Sequence, residues 1–232
     1  MLVAQNSLGP VCPVPLTVRG MGWACWKTYV GRPEHPWAHI SAMRQLGNGL
    51  HHVDQHTEAL SVQEAELSMK RRLGVPEESI LITQSNLAMT YGNLGQHERG
   101  LQLKQDVHSG RLKLNGEEDE MTLIAANNYA TSLGKLQRFE EAKSVLRKTM
   151  PVARRVLGEG HEITLRLRWI YAMTLYDDPA ATLDDLRESV TTLEDADRIA
   201  RRVFGGAHPN VVDIERELQD ARAALRARET PS

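Results

Sequence analysis

Little in this chain points to chemistry. It has two cysteines, Cys12 and Cys25, and they lack the short Cys-x-x-Cys spacing of a zinc knuckle. One disulfide between them is open to the chain, with free thiols in a reducing compartment the expected state. No apolar run reaches the roughly 20 residues that cross a bilayer. The first 20 residues carry no basic n-region, and Pro10, Pro13 and Pro15 interrupt any apolar helix there. No secretory signal is therefore expected, and a cytoplasmic location is the default. A net charge of -2 gives neither nucleic acid nor an anionic membrane a bulk electrostatic reason to bind. Gly134-Lys135 is followed by leucine rather than Ser or Thr, so no phosphate-cradling loop is expected. His-Glu-x-x-His and Gly-x-Ser-x-Gly are also missing. With no catalytic constellation, the expectation is a non-enzyme that needs neither cofactor nor metal.

What the chain does have is a period. Gly47, Ala88, Ala130 and Ala172 recur at spacings of 41, 42 and 42. Gly31, Gly74, Gly116, Gly158 and Gly205 follow apolar, mostly basic helix endings, as a glycine does where a helix must stop. Between these landmarks each unit reads as two helices. Leu81, Leu87, Tyr91 and Leu94 of one first helix match Leu123, Tyr129, Leu133 and Leu136 of the next, then Leu165, Tyr171 and Leu175. Second helices open at His56, His97 and Phe139, with Ala59, Gly100 and Ala142 three places on. Small side chains in both helices let the two backbones approach closely. With 41% apolar and 25% charged residues in 232, a stack of helical hairpins is expected, and binding rather than catalysis.

Three runs carry a family likeness: Asn86-Leu87-Ala88-Met89-Thr90-Tyr91, Gln137-Arg138-Phe139-Glu140-Glu141-Ala142, and Val156-Leu157-Gly158-Glu159-Gly160-His161. Over about residues 35 to 228 the chain resembles the tetratricopeptide repeat in the 42-residue form of kinesin light chains. The heptad coiled coil by which those proteins pair with heavy chains has no counterpart in the sequence. The resemblance implies an all-α fold, an α-solenoid of antiparallel helix pairs forming a short right-handed superhelix. Residues 1-15 read as a flexible leader and 16-31 as a partial repeat packed through Trp23, Trp26 and Tyr29. Full repeats follow at about 35-74, 77-116, 119-158 and 161-205, and a capping helix at 209-228 closes a repeat domain of residues 16-228.

Two departures are visible. Pro151 falls inside a second helix, where it removes a donor and crowds the Arg147 carbonyl, which predicts a kink. The fourth repeat carries five extra residues around Asp177-Asp178-Pro179, after which Thr182 and Asp185 form an approximate capping box for a long helix, Leu183 to Phe204.

The resemblance further implies that first helices line a concave groove whose polar face carries recognition. That face holds Asn86, Thr90 and Asn93 beside Thr83, then Asn128, Ser132 and Lys135 beside Ala125, then Arg166 beside Ile170 and Thr174. Asn86 and Asn128 match the family asparagine that hydrogen-bonds the backbone of an extended peptide, a task suited to an amide that donates and accepts. Lys135 and Arg166 favour an acidic ligand. The expected partner is therefore a protein or peptide segment. Self-association through unsealed hairpin ends and a fragment of a larger protein are the alternatives. A metal-dependent hydrolase is a remote one, resting on His51, His52, Asp54 and His56 with His35 and His39 near them. The repeat register opposes it: an inter-helix turn falls between His52 and His56, and His56 occupies the packing position of Phe139.

Overall fold

The computed structural model describes residues 36–229 together with Gly20. The expected leader, the partial repeat with Trp23, Trp26 and Tyr29, both cysteines, Gly31 and His35 lie outside the described residues. Among the described residues every regular element is a helix: α1 (Pro36–His52), α2 (His56–Arg72), α3 (Glu77–Asn93), α4 (His97–Asn115), α5 (Glu120–Lys135), α6 (Phe139–Leu157), α7 (Glu162–Tyr176), α8 (Leu183–Phe204) and α9 (Pro209–Glu229). The fold is an all-α helical repeat of solenoid type. The chain divides into two compact units, Met1–Leu103 and Lys104–Ser232, with the boundary inside α4.

Within the first unit α1 packs on α2, α2 on α3, and α1 also on α3. Short turns join neighbours that pack together, which makes each pair antiparallel. The turn positions are backbone-specific: Asp54 and Gly95 have φ of 59° and 74°. Leu46, Leu50 and Ala59 form a buried cluster between α1 and α2. Where α4 crosses α3, the approach is close enough that a Cβ on Gly100 would lie 2.9 Å from the Ala88 carbonyl oxygen. Ala88 itself is fully buried.

The second unit repeats the scheme. Helix α5 packs on α6, α6 on α7, α7 on α8 and α8 on α9, while α5 meets α7 and α7 meets α9. Ala130, Ala142, Ala172 and Ala196 are all 0% exposed, so the small-residue positions sit where helices touch. A core of Leu165, Leu193, Ile199, Val211, Ile214 and Leu218 runs through α7, α8 and α9, with Trp169 and Phe204 against it. Helix α6 continues through Pro151. The segment after Tyr176 ends in a complete capping box: Thr182 Oγ1 accepts from the Asp185 amide while the Asp185 carboxylate accepts from the Thr182 amide. That box starts α8 at Leu183, and at 22 residues it is the longest described helix.

The glycine stops adopt positive φ at Gly74, Gly116, Gly158 and Gly205, as expected of a residue without Cβ. At Gly158 and Gly205 the ψ values are 164° and 155°, an extended mirror region closed to side chains rather than the ordinary left-handed one. The histidines that follow have a local task. His161 Nδ1 accepts from the Ile163 amide at 3.3 Å and His208 Nδ1 from the Asn210 amide at 3.2 Å, so each caps the next helix.

Candidate protein-interaction surfaces

Beyond the first turn of α3, where Glu77 and Glu78 are exposed, the residues open to solvent are Ile82, Met89 and Asn93, with Asn86 half-buried among them. Ile82 is 38% and Met89 49% exposed, an apolar element that a search for polar faces passes over. Asn86 Nδ2 donates to Asn48 Oδ1 of α1 at 3.1 Å, which fixes the amide and leaves its carbonyl uncommitted. Thr90 sits elsewhere. It is 0% exposed, donates to Gln63 Oε1 at 2.8 Å, and has His51 Nδ1 at 3.2 Å. Thr83 is likewise buried, held between Glu66 and Lys70 of α2. The expected placement of Thr90 on an open face is thus corrected: its hydroxyl is consumed where α3 meets α2. Short hydroxyl side chains fill close helix contacts while their oxygens find partners.

In the second unit α5 presents Lys135 to solvent, with Asn128 half-buried two turns earlier and Ile124 one further turn back. Asn128 Oδ1 accepts from Asn127 Nδ2 at 3.3 Å, leaving the Asn128 amino group uncommitted. Ser132, like Thr90 one repeat earlier, is buried rather than open, at 8% exposure. Its hydroxyl accepts from Lys104 Nζ at 2.5 Å. Burial, and then the charge of Lys135, push the Lys104 ammonium below the usual lysine pKa. Lys104 lies on a second helix, so attention confined to first helices misses it. The signal that could have found it is positional: a lysine where the preceding repeat has Gln63 and the following one has Leu146. On α7, Arg166 is exposed beside Glu162 at 3.6 Å, and Thr174 is buried.

The histidine cluster does not converge on a metal. His51 and His56 rings lie 5.0 Å apart and tilted, and Asp54 pairs with His56 at 3.5 Å. Among the described residues no group of three or more His, Cys, Asp or Glu is placed to hold a metal ion. Also among them, no helix is long and apolar enough to cross a membrane. A separate cavity of about 360 Å³ in the second unit lies between α4 and α6 over Leu123, Ala126 and Tyr129 of α5. There the His108 ring stacks on Tyr129 with centroids 6.0 Å apart, and burial lowers its pKa.

The tetratricopeptide repeat family model matches residues 79–154. The crystal structure of BtubC (BKLC) from P. vanneervenii is similar at TM-score 0.67 and 15% identity, over 93% of this chain and 88% of that one. Nearly identical TPR-like repeats of a Podosopora anserina kinesin light chain are similar in two crystal structures. One of them, of a point variant, gives TM-score 0.71 at 21% identity, over 84% of this chain and 90% of that one. The other gives 0.66 at 20%, over 86% and 100%. No curated protein matches the chain in sequence. Residues 79–154 accordingly carry tetratricopeptide repeats, and the described helices share the fold of these repeat structures of the kinesin-light-chain kind.

Proposed function

We propose that the chain is an interaction scaffold whose first helices hold a short extended segment of a partner protein. The observation that carries the reading is found in each unit by itself: Asn86 in the first and Asn128 in the second hold equivalent repeat positions, each half-buried with one amide edge fixed by a neighbouring asparagine. Asn86 keeps a free carbonyl and Asn128 a free amino group. An extended backbone has to be satisfied by donors and acceptors of this kind, because its own lie unpaired along both edges. Exposed Ile82 and Met89 beside Asn86 offer apolar contact to the ligand's side chains. Asn93 extends the contact in the first unit, and Lys135 and Arg166 extend it in the second, the two cations favouring acidic residues. Thr90 and Ser132 serve from beneath, by holding the helices that present the asparagines. A cytoplasmic location belongs to the same proposal.

The test is selection of short random displayed peptides on the intact chain. Selected peptides lose binding to Asn86→Ala or Asn128→Ala at unchanged helicity. Undiminished binding to both variants overturns the reading.

A further inference from the structure

Cations of the second unit are largely matched by carboxylates. Lys143, for instance, lies 2.8 Å from Glu140 and 2.7 Å from Asp178. Lys104 differs from the other unmatched cations of the unit, such as Lys113 and Lys148, which are exposed: it is half-buried and has Lys135 for a neighbour. Among the described residues neither Lys104 nor Lys135 has an ion-pair partner, and Lys104 is near enough to Lys135 to be perturbed by its charge. Burying an unmatched ammonium beside a second cation is costly, which gives the site a reason to take up an anion.

The surrounding groups all point the same way. Ser132 accepts from Lys104, and its own proton is uncommitted, whereas Thr131 and Thr174 spend theirs on helix carbonyls at 2.7 Å. Asn128, one turn before Ser132, has its carbonyl occupied and its amino group open. The cluster therefore offers donors only: two ammonium groups, a hydroxyl and an amide. The repeat register marks it as particular to this unit. The position of Lys104 is Gln63 and Leu146 in the flanking repeats, and that of Lys135 is Asn93 and Asp177. Ammonium groups are point charges that surround a tetrahedral ion, whereas the planar carboxylate is better matched by a guanidinium fork.

We propose that Lys104, Lys135, Ser132 and Asn128 form a binding site for a phosphate dianion. Two positive charges meet two negative ones, and the phosphate oxygens accept from all four side chains. The group comes either from free phosphate or from a phosphorylated residue of the bound segment, and the second source rests on the function proposed above.

Calorimetric titration of the full chain with inorganic phosphate tests the site. The expected result is saturable binding, with proton uptake at alkaline pH as Lys104 regains its proton. Acetate at matched ionic strength binds at least tenfold more weakly. Lys104→Met and Lys135→Met each lower phosphate affinity tenfold or more, while Lys148→Met on α6 leaves it unchanged. Lys135 is exposed, so its variant does not endanger the fold. Absence of saturation, equal binding of acetate, or an equal loss in Lys148→Met overturns the proposal. A capped phosphoserine amide that binds more tightly than phosphate assigns the group to a protein segment, and weaker binding assigns it to the free ion. Phosphate binding that persists while peptide capture fails separates this site from the scaffold reading.

Discussion

The Lys70 ammonium lies 2.7 Å from the Glu66 carboxylate, with both side chains 1% exposed. Thr83 of α3 closes the pair, donating to Glu66 at 3.1 Å and accepting from Lys70 at 2.7 Å, while Lys70 also reaches the Ser79 carbonyl at 3.0 Å. A charged pair on one helix is thereby locked to the next. Lys70→Met leaves the carboxylate buried and unmatched, at a cost of about 3 kcal/mol or more, whereas Glu66→Met with Lys70→Met removes both charges together. The double variant is expected to be more stable than either single one. Hydrogen exchange of the α2 and α3 amides reads this, and a double variant as weak as the worse single one contradicts it.

Gly100→Ala inverts a familiar sign. In an exposed helix interior the change stabilises by about 1 kcal/mol through helix propensity. Here the new Cβ meets the Ala88 carbonyl oxygen at 2.9 Å, backbone that yields only if the α3–α4 hairpin opens. The expected net effect is a loss of about 1–3 kcal/mol, as for other overpacked contacts. The equivalent positions carry Ala59 and Ala142, each 0% exposed, so those two hairpins accommodate a Cβ at the place where this one does not. Denaturant midpoints of wild type and variant decide it; a stabilised Gly100→Ala refutes the close approach.

How much of this was readable in advance follows from which forces act locally. Helix stops at Gly74 and Gly116, and the Thr182–Asp185 box, depend on neighbours in sequence, so their residue types announce them. The alanines at 88, 130 and 172 announce close packing because no larger side chain fits. The exposed face was harder. Polarity suggested Thr90 and Ser132, but a small hydroxyl can either face water or fill a helix contact, and only the angle between helices decides. Met89 is apolar and exposed, Lys104 is charged and half-buried, and each inverts the rule used to sort residues. Where hydrophobicity and burial part company, interaction sites are to be sought.

Stability is expected to fall with acid in both units. Burial, then the charges of His56 and His52, lower the His51 pKa from its ordinary 6.5. Burial alone lowers that of His108. The native state therefore binds fewer protons than the unfolded chain, and the stability held above pH 6.5 drains away as pH falls from there toward the lowered native values. His51→Gln flattens this response in the first unit and His108→Gln in the second. Imidazole proton shifts across the titration, taken with denaturant midpoints, check the sign. A midpoint that rises on acidification through this window contradicts it.

Pro151 supplies the last test, because its cost is built into a helix that forms regardless. Helix α6 runs from Phe139 to Leu157 with the ring inside it. Lacking an N–H, Pro151 cannot satisfy the Arg147 carbonyl four residues back, and its ring crowds that oxygen, at a cost of about 3 kcal/mol in a straight helix. Part of this is offset, by up to about 1 kcal/mol, because proline restricts the unfolded chain. The exposed ring also walls a cavity of about 490 Å³ beside Met150 and Tyr171, so an alanine there removes no core contact. Pro151→Ala is therefore expected to stabilise the second unit by about 1–2 kcal/mol, read as a higher denaturant midpoint at unchanged slope. An unchanged or lower midpoint contradicts this and means that the helix carries the ring without strain.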